Sequence, residues 1–528
     1  MFWRQATGRS DVLAPRAMVA TSQPLATQAG ISILKEGGNA VDAAIASAAV
    51  LDVVEPFSTG CGGDAFALVH IPDQKKPLSY NGSGRSGSLA TLDSLLSQGL
   101  TEMPERGGPT VNVPGAMHLW YTLQKEHGNL EMSDVLKYAI GYAKNGFLVS
   151  PVISEQWKYT YPVLRGEEAR HVFTIEGLPP SVGTQMRNPE LAKVFSQVGR
   201  EGLGVFYNGW IAEAIVKTVQ EDGGFLTLED MAAHRTEVTN PISTSYRGLD
   251  VYEHPPNGQG FAALAMLNIM ERFSFDDYTS TSAERYHIMI EAKKLAYDDL
   301  YRHNADPDFY EVPLEPLLSK EYAKDRATSI SLKSTLDTNN LPMRQGTDTV
   351  YFCTADANGM AVSFINSLYM GFGSGLVAQG TGIKLQNRAN LFSLDPLHPN
   401  CYAPRKRVFH TIIPGALYRD GTFVGVFGIM GGSHQAQAHA QFVSNLVDYN
   451  MSPQEALDHP RFHHEQVPNT VAVEDGLTND VQPALQKLGH QMVPASRFGF
   501  GGGQAILQLE SGWIAGSDYR KDGQASGF

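Results

Sequence analysis

The residue best suited to do chemistry is Thr349, which begins a predicted apolar strand directly after a polar run from Ser331 to Asp348. A threonine hydroxyl needs a base to become a nucleophile. Cleavage of the Asp348–Thr349 bond would supply one, because a new α-amine has a pKa near ~8, whereas a lysine amine has one near ~10. Thr349 would then carry both nucleophile and base. Since threonine also begins many ordinary strands, the residue type alone does not establish this role.

The elements that must position Thr349 change in type at that residue. Upstream of it the pattern is mostly helical, and downstream it is mostly of strands. The predicted helices include Ala40 to Val54, Trp210 to Gln220 and Ser282 to Arg302, and the predicted strands include Val350 to Ala355, Val408 to Leu417 and Thr422 to Gly428. Two antiparallel sheets between two helical layers are the economical packing of such elements. We therefore predict an α+β fold, a four-layer αββα sandwich, with residues 1–528 as one domain.

Two glycine-rich segments stand beside predicted strands. Gly431 and Gly432 follow a strand from Val424 to Gly428, and can present two adjacent backbone N–H groups to an oxyanion, although an ordinary turn would also explain them. The run from Gly60 to Asp64 precedes a strand from Ala65 to His70. Clustered glycines there predict unusual backbone conformations, or the close approach of another backbone or a ligand.

The composition excludes several classes of function. The net charge is -14 and the pI is near 5.6, and the Lys and Arg clusters that nucleic acid requires are missing. Cys61, Cys353 and Cys401 are far apart and odd in number, which excludes a disulfide framework and favours a reducing compartment. No signal-peptide core or long apolar stretch is found. We predict a cytoplasmic protein that acts on a small molecule, and binds neither nucleic acid nor membrane.

Neither a metal nor a cofactor is predicted. The best candidate ligands are His459, His463, His464 and Glu465, which lie close together in the sequence. Pro460 interrupts them, and it would break the helix that a pair of ligands at i and i+4 requires. The chemistry is therefore expected to depend on protein groups alone.

Six motifs resemble those of the γ-glutamyltranspeptidase family of N-terminal nucleophile hydrolases, and they stand in the family's order. They are Ile33 to Ala44, Gly60 to Asp64, Asp348 to Tyr351, Gly371 to Gly375, Gly431 to Ser433 and Pro460 to His464. The resemblance covers most of the chain and independently implies the αββα sandwich. It also implies that self-cleavage frees Thr349, and that Gly431 and Gly432 form the oxyanion hole.

The resemblance assigns further residues to the site. Ser367, 18 residues after Thr349, stands where the family has a hydroxyl group that hydrogen-bonds the nucleophile. Tyr369 stands where transpeptidases have an asparagine that contacts substrate, which predicts a smaller pocket. Arg85 is the nearest match to the arginine that holds the substrate carboxylate, although it is displaced by two residues. A surface arginine is the alternative explanation of Arg85.

Other positions depart from the transpeptidase pattern. Leu391 replaces the acidic residue that binds the α-ammonium of a γ-glutamyl group, Arg388 replaces a glutamine, and His410 and Thr411 replace a pair of serines. Arg388, His410 and Thr411 are therefore expected to bind substrate, in a site that has lost an anion and gained cations. A buried ammonium beside leucine would lack a partner, which costs several kcal/mol. The lid segment of transpeptidases is also missing after Tyr402, which favours hydrolysis over transfer.

We therefore predict an N-terminal threonine amidohydrolase that cleaves itself at Asp348–Thr349 into a large chain, residues 1–348, and a small chain, residues 349–528. The two chains would stay together as a heterodimer, and a dimer of heterodimers is left open. A compact acyl group with a carboxylate and no ammonium fits the changed site, and oxamate is such an amide. The alternatives are a γ-glutamyltransferase or glutathione hydrolase, an enzyme for a larger acyl amide, and an uncleaved homologue that only binds ligands.

Overall fold

Thr349 lies in one of two seven-stranded antiparallel sheets that stack face to face. The computed structural model describes residues 8–338 and 348–528, so residues 339–347 of the predicted linker lie outside the described residues. Helices cover the outer face of each sheet, which produces four layers. The predicted α+β class and the αββα sandwich are confirmed.

The sheet that contains Thr349 joins strands from both sides of the predicted cleavage site. From edge to edge its strands are Gln524–Gly527, Met18–Thr21, Asp348–Ala355, Ala361–Tyr369, Asp64–His70, Leu78–Gly82 and Glu237–Thr239. Its outer face packs against the helices Pro24–Lys35, Ala40–Val54 and Ala116–His127. Segments that precede and follow position 348 therefore share one set of hydrogen bonds, which would hold two cleaved chains together.

The second sheet carries the glycine pair at the end of one of its strands. From edge to edge its strands are Val12–Ala14, Gly512–Ser517, Gly502–Leu509, Thr422–Met430, Gly415–Arg419, Leu249–Glu253 and Ile242–Tyr246. The helices Gly260–Met270 and His434–Asp448 cover this sheet, and Ala283–His303 packs on the first of them. Because Gly431 follows Met430 directly, the central strand fixes where the glycine loop begins.

The strand Asp348–Ala355 is buried on both faces. Val350 and Phe352 point to the helical layer, whereas Tyr351 and Cys353 point to the space between the sheets. This alternation follows from the two-residue period of a strand. Full burial of one large apolar side chain contributes roughly 1.5–3 kcal/mol, so the position of Thr349 is fixed by strong packing just after it.

The helix Ala40–Val54 shows why the chain can pack so closely behind this strand. Its many alanines make it thin, and every residue of the helix is buried. Its start is set by a capping box, in which Asn39 accepts the Asp42 N–H and Asp42 accepts the Asn39 N–H. The predicted bounds of this helix are confirmed.

One predicted strand is wrong in a way that bears on the site. The strand expected from Val408 to Leu417 begins only at Gly415. The residues before it pair with loops instead, since the His410 N–H donates to Asn257 O at 2.8 Å. This irregular stretch contains His410 and Thr411. The segment that does not form the predicted strand is therefore the one predicted to contact substrate.

The remaining elements are short or lie at the periphery. The other helices are Leu92–Leu96, Gly108–Thr110, Met132–Val135, Lys137–Asn145, Pro151–Thr160, Tyr161–Val163, Gly166–Phe173, Pro189–Glu201, Gly204–Tyr207, Trp210–Glu221, Leu228–Ala233, Leu314–Leu317, Lys320–Ala327, Arg388–Leu391, Pro453–Asp458, Asp475–Leu477 and Val481–Lys487. The other strands are Phe147–Leu148, Gln185–Met186, Val377–Ala378, Ile383–Lys384, Phe462–Glu465, Thr470–Val473 and Gln491–Met492. Within residues 8–338 and 348–528, no helix combines the length and the apolar character that crossing a membrane requires.

Candidate active site

Thr349 occupies a bulge between the two central strands of its sheet. Asp348 pairs with Tyr369 and Val350 pairs with Asn366, so the register shifts at Thr349. Bulges of this kind redirect a side chain and are common beside active sites. Here the bulge brings the Thr349 hydroxyl next to its own preceding peptide group and next to a serine on the neighbouring strand.

The Thr349 hydroxyl is in contact with the bond that is predicted to break. Thr349 Oγ1 lies 2.8 Å from the carbonyl oxygen of Asp348 and 2.9 Å from Ser367 Oγ. Ser367 Oγ lies 3.0 Å from the same carbonyl oxygen, and it accepts the Tyr369 N–H at 2.9 Å. The structure therefore brings Asp348, Thr349 and Ser367 together as the sequence predicts.

The glycine-rich run before the strand Asp64–His70 holds Ser367 in place. A Cβ atom on Gly63 would lie 2.3 Å from Ser367 O, and one on Gly62 would lie 1.9 Å from Lys384 O. No side chain fits at such distances. The predicted close approach of another backbone is confirmed, and it occurs at the residue beside Thr349.

Three further predicted residues meet behind Ser367. Tyr369 has a backbone φ of +82°, which is unusual for a bulky residue and is often found at functional sites. The Arg388 guanidinium lies 4.7 Å from the centre of the Tyr369 ring, and its Nη1 donates to Thr411 Oγ1 at 2.9 Å. Burial lowers the pKa of Arg388 to about 10. Its Nε and Nη2 atoms have no hydrogen-bond partner among the described residues.

Asp64 completes this cluster, and the sequence analysis did not assign it a role. Its Oδ2 lies 3.2 Å from His410 Nε2 and 3.8 Å from Arg388 Nε. Burial raises the pKa of Asp64 to about 7, against the opposing effect of the Arg388 charge. Burial, and then the Arg388 charge, hold the pKa of His410 well below its ordinary value, so the imidazole is neutral. An acidic residue directly after a glycine run and at the start of a buried strand is the signal that could have identified Asp64.

The ionisation of Asp64 should make the binding of anionic substrates depend on pH. Below pH 7 the Asp64 carboxyl is mostly protonated and leaves the Arg388 charge uncompensated, whereas above pH 7 it ionises and offsets that charge. We expect the KM of a carboxylate-bearing substrate to rise as the pH increases through about 7, and Asp64→Asn to remove that step. Steady-state kinetics at a series of pH values measure this effect. A wild-type KM that is flat from pH 6 to pH 8 would contradict the expectation.

Gly431 and Gly432 adopt backbone conformations that other residues rarely adopt. Their φ values are +135° and +57°, a region that favours glycine. Gln259 Nε2 donates to Gly432 O at 2.9 Å and also to Thr411 O. This amide therefore links the glycine loop to the Arg388 cluster. The binding of an oxyanion by Gly431 and Gly432 remains a prediction.

Arg85 does not join this group. Its guanidinium is paired with Asp308 at 2.5 Å, with Asp306 at 2.8 Å and with Glu237 at 3.3 Å, and a quarter of its side chain is exposed. Three carboxylates already satisfy the charge, so the predicted role of holding a substrate carboxylate does not fit its placement. The alternative explanation, an arginine in surface ion pairs, fits better.

A different arginine lines the cavity beside the Asp348–Thr349 bond. This cavity has a volume of about 1060 Å³, and its walls include Asp348, Arg106, Glu102 and Glu105. Arg106 Nη1 donates to Gly371 O at 2.6 Å and also to Gly373 O, which fixes the guanidinium against the turn after Tyr369. The sequence analysis missed Arg106, because it lies in an irregular segment far from Thr349 in the chain.

Leu391 lies beside a second, smaller cavity of about 480 Å³. The walls of this cavity also include Glu102 and Asp395. Although Leu391 stands in place of the family's acidic residue, the wall of this cavity still contains two carboxylates. An ammonium near Leu391 would share the cavity with them. This finding weakens the sequence argument against a substrate that carries an ammonium group.

Among the described residues, His287, Glu291 and His490 have ligand atoms close enough to suggest a metal site. Most of their ligand atoms are already used in hydrogen bonds and ion pairs, with His490 Nδ1 the exception among the described residues. His287 Nδ1 lies 2.8 Å from His490 Nε2, and its Nε2 lies 2.7 Å from Ser331 O. Glu291 pairs with Lys294 at 2.8 Å. A divalent cation would have to compete with that ammonium, so the group does not fit a metal.

The fold and the site define a class. A threonine at the start of a central strand of an αββα sandwich, next to a serine and a glycine loop, is typical of the N-terminal nucleophile hydrolases. The family described as Gamma-glutamyltranspeptidase matches residues 26–528. The chain belongs to that family.

Named relatives share nearly the whole length of the chain. The Glutathione hydrolase-like YwrD proenzyme of Bacillus subtilis is 38% identical, over 98% of this chain and 99% of its own. The Oxamate amidohydrolase proenzyme of Klebsiella pneumoniae is 32% identical, over 98% and 100%. A crystal structure of cephalosporin acylase from Bacillus halodurans has a TM-score of 0.93 and 42% identity, over 100% and 99%.

These comparisons confirm an amide-bond hydrolase of this family, made as a self-processing proenzyme. They do not single out the oxamate branch, since oxamate is one of several substrates in the relatives' names. They favour the glutathione hydrolase alternative over the oxamate prediction.

Proposed function

We propose that the protein cleaves itself at Asp348–Thr349, into residues 1–348 and 349–528, and that the freed Thr349 then hydrolyses the amide of a γ-glutamyl compound such as glutathione. One observation carries this proposal. The hydrogen-bond partners of Thr349 Oγ1 among the described residues are Ser367 Oγ and Asp348 O, and neither is a base at neutral pH. The proton acceptor for the hydroxyl is therefore the α-amine that cleavage creates.

Self-cleavage follows from the contacts of Thr349. Its Oγ1 attacks the Asp348 carbonyl carbon, and the C–N bond breaks as the proton of the hydroxyl moves to the nitrogen. The product is an ester between the Asp348 carbonyl and Thr349 Oγ1. Water then hydrolyses this ester, which releases the main-chain α-carboxylate of Asp348 and the free hydroxyl of Thr349. Ser367 Oγ, at 3.0 Å from the Asp348 carbonyl oxygen, stabilises the charge that develops there.

Turnover repeats this chemistry on an external amide. The α-amine of Thr349 takes the proton of Oγ1, which attacks the substrate carbonyl, and the ammonium then protonates the leaving amine. Water attacks the resulting acyl-enzyme and releases the acid. The N–H groups of Gly431 and Gly432 bind the oxyanion in both steps.

The residue before the cleavage site suggests which acyl group the site accepts. During self-cleavage Asp348 is itself the acyl group on Thr349, and Asp348 lines the cavity that contains Arg106. Burial lowers the pKa of Arg106, while Glu105 and then Asp348 oppose that change, so the carboxylate acts on this cation. A substrate acyl group with a carboxylate at a similar reach would also meet Arg106. Glu102 lines the same cavity and adds negative charge for its ammonium, whereas the Glu105 carboxylate is already paired with Arg106 at 3.4 Å.

Removal of the Arg106 charge should weaken the binding of carboxylate-bearing substrates. We expect Arg106→Met to raise the KM for glutaryl-p-nitroanilide by about 10- to 100-fold, since a charge-assisted hydrogen bond contributes roughly 1.5–3 kcal/mol. The KM for butyryl-p-nitroanilide, which lacks the carboxylate, should change little. Arg497→Met is the matched control, because Arg497 lines the same cavity but is largely exposed and paired with Glu155. An equal loss for both substrates would contradict the assignment.

A second candidate is hydrolysis of a small amide without an ammonium group, such as oxamate. The observation in its favour is the buried group of Tyr369, Arg388 and Thr411, in which a bulky ring lies beside a cation with unused N–H groups among the described residues. Such a site suits a compact carboxylate.

A panel of amides on purified, processed protein separates the two candidates. We expect glutamate to be released from glutathione, and γ-glutamyl-p-nitroanilide to be hydrolysed faster than glutaryl-p-nitroanilide, which differs only by the missing ammonium. Release of ammonia from oxamate without release of glutamate from glutathione would reject the first candidate in favour of the second.

A further inference from the structure

The loop that contains the glycine pair is held from behind by two side chains of the large chain. Gln259, the residue before the helix Gly260–Met270, donates through Nε2 to Gly432 O at 2.9 Å. Tyr297, in the helix Ala283–His303, donates its hydroxyl to Ser433 O. Gln259 and Tyr297 are completely buried. Two consecutive carbonyl groups of the loop are therefore anchored by residues on the far side of the predicted cut.

These two hydrogen bonds restrict the orientations of the peptide groups in the loop, and therefore the directions of their N–H groups. In a trans peptide the carbonyl and the following N–H point in opposite directions. Gly431 O accepts the His434 N–H at 3.0 Å, which sets the direction of the Gly432 N–H. Gly432 has a φ of +57°, and its carbonyl accepts from Gln259 Nε2 at 2.9 Å and from the Gln435 N–H at 3.3 Å. Gln259 therefore provides the side-chain restraint on the other side of this residue.

Gln259 has a second contact, which joins the glycine loop to the Arg388 cluster. The same Nε2 donates to Thr411 O, and the Thr411 hydroxyl accepts from Arg388. Gln259 Oε1, by contrast, is buried without a partner among the described residues. An unpartnered buried carbonyl group costs stability, so the contribution of Gln259 comes from its Nε2 group, which donates to two backbone carbonyl oxygens.

We propose that Gln259 is a positioning residue for the glycine loop, with Tyr297 as a second anchor, and that its single amide group couples this loop to Thr411 and Arg388. This inference rests on the proposed function. Self-cleavage does not depend on it, because the Asp348 carbonyl oxygen is already held by Ser367 in the uncleaved chain. The coupling acts in turnover, when an external substrate needs the glycine loop.

Two substitutions at one position test this role. Gln259→Met keeps the length of the side chain and removes the donor, so we expect complete self-cleavage and a kcat reduced by ~10- to 100-fold, as for a misplaced catalytic group. Gln259→Glu can donate only when its carboxyl is protonated. Its kcat should therefore recover relative to Gln259→Met as the pH falls, a dependence that a loss of packing would not produce.

Gln441→Met is the matched control, since Gln441 is a buried glutamine that donates to Gln437 O and Phe462 O away from the loop. It should keep the wild-type kcat. If Gln259→Met does not fold, Tyr297→Phe, which removes one oxygen from the second anchor, is measured by the same criteria. A cleaved Gln259→Met or Tyr297→Phe with wild-type kcat, or parallel pH profiles for the two Gln259 variants, would overturn the proposal. Absence of cleavage in the wild-type protein would instead reject the proposed function.

Discussion

Thr349→Ala is expected to remain a single uncleaved chain without amidase activity. Alanine has no hydroxyl to attack the Asp348 carbonyl, and without cleavage no α-amine becomes available as a base. The wild-type protein should run on a denaturing gel as bands of about 38 and about 20 kDa. Thr349→Ser keeps a hydroxyl and should still be cleaved. Gel electrophoresis and an amidase assay on the same preparations measure both effects.

Thr354→Ala is the matched control for this experiment. Thr354 lies in the same strand, is equally buried and donates its hydroxyl to Ala40 O at 2.7 Å. Its loss should lower stability slightly, and should leave cleavage and activity intact. If Thr349→Ala is cleaved, or hydrolyses amides at the wild-type rate, Thr349 is not the nucleophile.

Ser367→Ala should slow self-cleavage by about 10- to 100-fold. Ser367 Oγ contacts both Thr349 Oγ1 and the Asp348 carbonyl oxygen, so its removal weakens both the nucleophile and the stabilisation of the oxyanion. A hydrogen bond to a developing charge contributes roughly 1.5–3 kcal/mol, and each ~1.4 kcal/mol corresponds to a tenfold change in rate. The time course of appearance of the small chain after synthesis in vitro gives the rate.

Ser363→Ala, on the same strand, is the comparison for this rate. Ser363 Oγ lies 2.8 Å from Tyr351 Oη, between the sheets and away from the cleavage site. This variant should be cleaved as fast as the wild-type protein. Equal rates for Ser367→Ala and Ser363→Ala would show that the contacts of Ser367 do not assist cleavage.

The features that the sequence predicted are those with a local pattern. The helix Ala40–Val54 and the strand after Thr349 are almost continuously apolar, and the glycine run before Asp64 is typical of unusual backbone conformations or of close backbone contacts. The placement of Ser367 opposite Thr349 followed from the resemblance and agrees with the pairing of the two strands. Local sequence and family motifs were sufficient for these features.

The features that the sequence did not predict depend on contacts between distant segments. Arg106 and Gln259 lie in stretches without periodic pattern, and they reach the site only because the chain folds back over it. Arg85 was assigned by its place near a motif, but three carboxylates from other segments take its charge. The stretch from 408 to 414 has the composition of a strand and pairs with loops instead. Such outcomes are decided by tertiary contacts.

Peptide sequencing of an active preparation tests the central claim most directly. If a broken peptide bond turns Thr349 into its own base, the preparation must contain a chain that begins Thr-Val-Tyr, and its amount must follow the amidase activity through purification. A preparation that hydrolyses amides as one intact chain, with no terminus at Thr349, would contradict the account.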